Sequence, residues 1–104
     1  MLSWAVRVLK SKGMSRFRQR SRIDIMACIL ENSNEGSRKT RLIYRCNLSL
    51  AQFNLYKDCL IEVGLLEASR LEDGTEVYET TEKGKKFLED YRRIKGILDK
   101  MRLY

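Results

Sequence analysis

A chain of 104 residues, 43% apolar and 34% charged, is sized for one hydrophobic core and has the mixture of a folded rather than a disordered protein. It holds 21 Lys and Arg against 14 Asp and Glu, and no histidine. That removes the commonest general base and zinc ligand, while the net charge of +7 favours polyanionic partners. With no glycine-rich phosphate loop and no nucleophile–base pair, the chain reads as a non-enzyme with no cofactor and no metal.

The charge excess sits at the start. Residues 1–22 carry seven cations (Arg7, Lys10, Lys12, Arg16, Arg18, Arg20 and Arg22) and no acid, and the bases and acids of the remaining chain balance. Residues 1–20 are read as a basic arm, open to disorder, with Arg16, Arg18, Arg20 and the adjoining Arg22 as nucleic-acid contacts. Met14 is a second candidate start, which would make residues 1–13 dispensable. LSWAVRVL near the start is apolar but short and is broken by Arg7. Nothing approaches the ~20 apolar residues of a membrane span, so no membrane partner is expected and the cytoplasm, at the nucleoid, is the expected location.

Past the arm, Ser21 with Asp24 resembles a capping box. Ile23, Met26, Ala27 and Leu30 then share one helical face, and NSNEG at 32–36 stops the helix. Ser37 is expected to cap a short second helix with Leu42 and Ile43 inward. Ser49 and Gln52 form a better start signal, with Leu48 and Phe53 as a hydrophobic staple. Phe53, Tyr56, Leu60 and Val63 make a buried stripe along this third helix, which Gly64 ends. The three cysteines, at 28, 46 and 59, form no C-x-x-C pair and read as reduced core thiols.

Strand-forming segments around Leu66–Leu71 and Glu76–Thr80 flank Asp73-Gly74, a hairpin turn signal. Thr81 is expected to cap a last helix. Its Phe87, Tyr91, Ile94, Leu98 and Met101 keep a heptad rhythm. Phe87 and Leu88 are expected against the chain's own domain. Farther on, apolar residues would be wet without a partner, so Tyr91, Ile94, Leu98 and Met101 are assigned to a homodimer interface.

Three helices, a hairpin and a fourth helix read as a mainly α fold with a small β-hairpin (α+β). The architecture is a winged helix-turn-helix over residues 21–80, followed by a coiled-coil dimerisation helix over 81–104. In that arrangement the third helix enters the DNA major groove. Arg38, Lys39, Arg41 and Arg45 then have a purpose, since acid-free cations on the second helix meet phosphates and release counterions. On the third helix Leu50, Ala51, Asn54 and Leu55 point away from the core. Asn54 could pair with adenine and Leu50 or Ala51 could touch a thymine methyl, whereas no arginine is placed to read guanine. A solvated face, with Gln52 only capping, is the plain alternative.

KTRLIYRCNLS at 39–49, VGLLE at 63–67 and YETTEKG at 78–84 resemble, in the same order, an archaeal winged helix-turn-helix DNA-binding family. That family includes the 10a chromatin proteins of Sulfolobales and related predicted transcriptional regulators. The resemblance spans roughly residues 21–104 and implies a dimer that binds double-stranded DNA, paired through an antiparallel coiled coil of the last helix. It also implies backbone contacts from Lys39, Thr40 and Arg41, and a groove approach by Ser49 to Asn54. The DNA-binding set is completed by Arg38, Arg45 and Lys57.

One feature departs from a basic wing. Residues 58–82 hold eight acids (Asp58, Glu62, Glu67, Glu72, Asp73, Glu76, Glu79 and Glu82) against Arg70. An acidic hairpin should be repelled by phosphate, and the basic arm could supply the missing attraction. The alternative function is a protein-interaction module docking through the hairpin and the apolar third-helix face. RNA binding through the arm stays open on charge alone.

Overall fold

Ser21 opens the first helix as its spacing requires. The computed structural model describes residues 21–101, beginning with α1 (Arg22–Asn32). Ser21 Oγ accepts the Asp24 N–H at 3.2 Å, and Asp24 Oδ2 accepts the Ser21 N–H at 3.3 Å. These bonds satisfy donors that the first turn leaves orphaned. α1 buries Ile25, Ala27, Ile29 and Leu30, with Met26 half-buried. Ile23, expected inward, is 43% exposed. It stands in the first turn, beyond the arc of α1 that its neighbours cover.

Ser37 does not cap the second helix. Its backbone N–H and C=O pair with Tyr78 at 2.9 and 2.8 Å, and its hydroxyl donates to the Asn32 carbonyl at 2.5 Å. Because the Ser37 hydroxyl is spent on the end of α1 and its backbone on the hairpin, α2 (Lys39–Cys46) starts at Arg38, which makes no side-chain cap. Leu42 and Cys46 are fully buried, and Ile43 is half-buried. Asn47 then takes the left-handed conformation (φ 54°), which asparagine tolerates better than most residues. Its backbone makes the tight turn into α3 (Leu50–Glu62).

The capping box of α3 is complete: Ser49 Oγ accepts the Gln52 N–H at 3.0 Å and Gln52 Oε1 accepts the Ser49 N–H at 2.9 Å. Phe53 and Leu60 are fully buried and Tyr56 is half-buried. Val63, expected in the same stripe, is 50% exposed. The helix is already ending there, because Gly64 at φ +83° turns the chain and Leu65 N–H returns to the Leu60 carbonyl at 2.9 Å. Leu65 and Leu66 fill the core instead.

Strands β1 (Leu66–Arg70) and β2 (Glu76–Thr80) pair antiparallel with Ala68 opposite Tyr78. The connecting turn holds Gly74 at φ +89° and is closed by Leu71 N–H on the Thr75 carbonyl at 2.8 Å. Tyr78 packs edge-on against Phe53, ring centroids 5.6 Å apart. Thr80 donates its hydroxyl to the Leu30 carbonyl at 2.6 Å, so the hairpin is tied to the end of α1. The resulting fold is a mainly helical α+β winged helix with a long final helix, α4 (Glu82–Met101).

Thr81 caps α4, accepting the Gly84 N–H at 3.0 Å and donating to the Gly64 carbonyl at 2.6 Å. Leu88 is buried, and Phe87 and Tyr91 pack against the core. Tyr91 OH donates to Asp24 Oδ1 at 2.5 Å, while Lys95 and Arg92 reach Asp24 and Glu31 at 3.8 and 3.6 Å. Burial pulls the Asp24 carboxyl upward. The hydrogen bonds from Tyr91 and Ser21, with the Lys95 charge, outweigh it and hold the group below the usual carboxylate range. A depressed folded-state value contributes stability above the ordinary carboxylate pKa and loses it as pH falls through the folded value. Tyr91→Phe should therefore cost about 1 kcal/mol at pH 7. In acid-unfolding curves the gap between the two proteins should narrow below pH ~4.

Candidate nucleic-acid interface

The sequence of α2 places Leu42 and Cys46 at four-residue spacing on its buried side, with Ile43 half-buried beside them, which turns its polar positions outward. Arg38, Lys39, Thr40, Arg41 and Arg45 are all exposed. Among the described residues, seven cations outside α2 are paired with acids of the same chain: Lys57 with Asp58, Arg70 with Glu76, Lys85 with Glu82, Lys86 and Arg93 with Asp90, Arg92 with Glu31, and Lys95 with Asp24. Among the described residues, Arg38, Lys39, Arg41 and Arg45 make no such pair. The first turn of α2 also contains no acid, so the positive end of the helix dipole adds to their field.

Hairpin and helices converge beside this patch. A groove of about 450 Å³ is lined by Arg38, Lys39 and Thr40 of the α2 start and by Arg70, Gly74, Thr75 and Glu76 of the hairpin. The Tyr78 hydroxyl donates to Glu76 Oε1 at 2.6 Å. That bond, with the charges of Arg70, Lys57 and Lys39, holds the Glu76 carboxyl low against a smaller upward pull of desolvation. Burial and the same bond push the Tyr78 phenol up to about 12. Hydrogen bonds from Thr75 hold Asp73 low, with a smaller contribution from Arg38. Two acids of the hairpin thus lie within the field of the α2 cations, which offsets part of the wing's negative charge.

On α3, Ser49 and Gln52 spend their side chains on each other's backbone. Leu50 and Leu55 are 54% and 63% exposed, and Ala51 and Asn54 are exposed beside them. Lys57 is half-buried with its ammonium 3.0 Å from Asp58. Arg22 is the exposed first residue of α1, whereas Arg16, Arg18 and Arg20 lie outside the described residues. Tyr44, absent from the candidate set, is the residue that sequence reasoning missed. It is 82% exposed between Arg41 and Arg45, and an aromatic ring on the polar face of a basic helix was the available signal.

Residues 19–99 match the winged helix-turn-helix family. The chain belongs to this family. An uncharacterised protein of Methanocaldococcus jannaschii is 35% identical over 77 residues, covering 73% of this chain and 74% of that protein. Among solved structures, Sso10a-2, a DNA-binding protein from Sulfolobus solfataricus, superposes with a TM-score of 0.67 and 31% identity. The match covers 80% of this chain and 90% of that one. The transcriptional regulator BldR of Sulfolobus solfataricus shares the fold, with a TM-score of 0.66 at 21% identity over 75% of this chain and 59% of its own. The resemblance carried by KTRLIYRCNLS, VGLLE and YETTEKG is thereby borne out for family and fold.

Among the described residues, no group of three or more His, Cys, Asp or Glu side chains is placed to hold a metal ion. None of their helices is long and apolar enough to cross a membrane.

Proposed function

We propose that this winged helix-turn-helix protein binds duplex DNA as a homodimer, acting as a transcriptional regulator or as a chromatin-associated protein. Arg38, Lys39, Thr40, Arg41 and Arg45 contact phosphates, and the first half of α3 presents Leu50, Ala51 and Asn54 to the major groove. The observation that carries this reading is that, among the described residues, Arg38, Lys39, Arg41 and Arg45 form no ion pair with an acid, whereas seven of the cations outside α2 do. Sso10a-2, 31% identical, is a DNA-binding protein, which supports it. Residues 1–20 add backbone attraction as a basic arm.

The dimer reading rests on the end of α4. Ile94, Ile97 and Met101 are 53%, 54% and 56% exposed, and Leu98 stands between them on the same face. Tyr91 is engaged by its own domain through Asp24, so pairing is centred on Ile94–Met101 rather than on Tyr91.

Two variants separate the contacts by kind. Arg41→Ala should weaken binding to every duplex alike and make the salt slope shallower by about 1. Tyr44→Phe removes a neutral hydroxyl that can donate to a phosphate. It should cost roughly fivefold in affinity with the slope unchanged, as for the loss of one modest hydrogen bond. Fluorescence-anisotropy titrations of a random duplex across salt concentrations measure both. The competing reading, a protein-docking module, is favoured by exposed Leu50 and Leu55 beside Asp58 and Glu62. It requires duplex binding to be absent. Competition with single-stranded RNA separates an RNA-directed arm from a DNA-directed one.

A further inference from the structure

Of the cysteines, Cys46 alone is fully buried; Cys28 is half-buried and Cys59 is exposed. The expectation of three core thiols therefore fails for Cys59, whose position on α3 faces solvent. Cys28 and Cys46 stand eighteen positions apart in sequence, on α1 and on the last residue of α2, with their sulfurs 2.6 Å apart. The Asn32 amide donates to Cys28 Sγ at 3.6 Å. Cys28 Sγ also lies 3.9 Å from the Arg45 carbonyl, which keeps the sulfur on the α2 side.

We propose that Cys28 and Cys46 are a covalent modification site, closed to an intramolecular disulfide by a low-molecular-weight disulfide oxidant. A disulfide bond of ~2.05 Å needs only a small approach of sulfurs already in contact. Accessibility sets the order of events. The half-buried Cys28, as thiolate, attacks one sulfur of the oxidant and expels a small thiolate, leaving a mixed disulfide on Cys28. Cys46, giving its proton to solvent, attacks Cys28 Sγ and expels the second small thiolate. Two protein thiols are oxidised and one small disulfide is reduced to two thiols, so electrons and atoms balance.

The bond would join α1 to the end of α2, immediately before the left-handed turn at Asn47. It shortens the unfolded chain's freedom without requiring a new packing arrangement, so the oxidised protein should be the more stable form. This inference is independent of DNA binding.

The test uses full-length protein carrying Cys59→Ser, which leaves the pair intact and removes the exposed thiol. After incubation with oxidised glutathione, thiols titratable under denaturing conditions should fall from two to none. The intact mass should drop by two hydrogens with no glutathione adduct, and mobility on a non-reducing gel should remain monomeric. The melting temperature should rise by about 10 °C and return on adding dithiothreitol. Adding Cys28→Ser should abolish the thiol loss and the thermal shift. A persistent glutathione adduct, disulfide-linked dimers, no reaction, or a lower melting temperature after oxidation would each overturn the proposal.

Discussion

Gly84→Ala should lower the melting temperature by roughly 15 °C, corresponding to about 3 kcal/mol for forced overpacking at a rigid site. Gly84 lies in the first turn of α4, where a Cβ would overlap the Leu65 carbonyl oxygen and approach Thr80 Cγ2 to 2.6 Å. A side-chain rotation cannot relieve contact with a backbone carbonyl. That same carbonyl accepts the Thr81 N–H at 3.1 Å, so moving it disturbs the junction of α3, β1 and α4 together. Gly96, farther along the helix, has open space where its Cβ would sit. Gly96→Ala should therefore follow helix propensity and stabilise the isolated helix by up to ~1 kcal/mol. Thermal unfolding by circular dichroism compares the two. An unchanged melting temperature for Gly84→Ala would mean that α4 does not dock as closely as described.

Substituting both Ile94→Asp and Leu98→Asp should convert the proposed dimer to monomer and cut affinity for duplex DNA by about a hundredfold or more, the usual scale of lost bivalency. Ile94 is already half-exposed in the single chain, so aspartate there costs the monomer little. In a dimer it would bury a carboxylate against an apolar seam. The monomer should melt cooperatively, because Leu88, Phe87 and Tyr91 still anchor the first half of α4. Sedimentation velocity at micromolar concentration reads the oligomeric state. Wild-type protein sedimenting as a monomer would remove the seam from the account.

Local chemistry explains which features were legible in the sequence. Ser49 with Gln52 and Ser21 with Asp24 act within four residues, so their capping roles were readable and hold. Gly64 and Asp73-Gly74 likewise mark turns through backbone conformation that few other residues accept. Ser37 carried the same local signal but is claimed by Tyr78, forty-one positions away, and no local rule anticipates that competition. Val63 and Ile23 continued apolar periodicities beyond the point where the helix end, or the packing neighbours, still covered them. Gly84 sat inside a recognised motif, but its reason, the Leu65 carbonyl behind it, exists only after α3 and α4 meet.

The candidate interface was partly readable for a similar reason. A run of cations without neighbouring acids is visible in one dimension, whereas the lack of tertiary acid partners is not. Lys57 was assigned to the interface by position, yet its ammonium is paired with Asp58. Tyr44 needed the outward face of α2 to be known before its exposure had meaning. The hairpin's acidity looked prohibitive as a sum of charges. In three dimensions Glu76 is bound by Arg70 and Tyr78, and Asp73 and Glu76 lie within the field of Arg38 and Lys39.

The salt dependence of wild-type binding to a random duplex tests the central claim most directly. If the four α2 cations each neutralise a phosphate, the logarithm of the association constant should fall against the logarithm of salt with a slope of about −4 or steeper. A variant with all four changed to alanine should lose about four units of that slope. Binding that ignores salt, or a four-alanine variant whose slope matches wild type, would contradict the assignment of α2 to the DNA backbone.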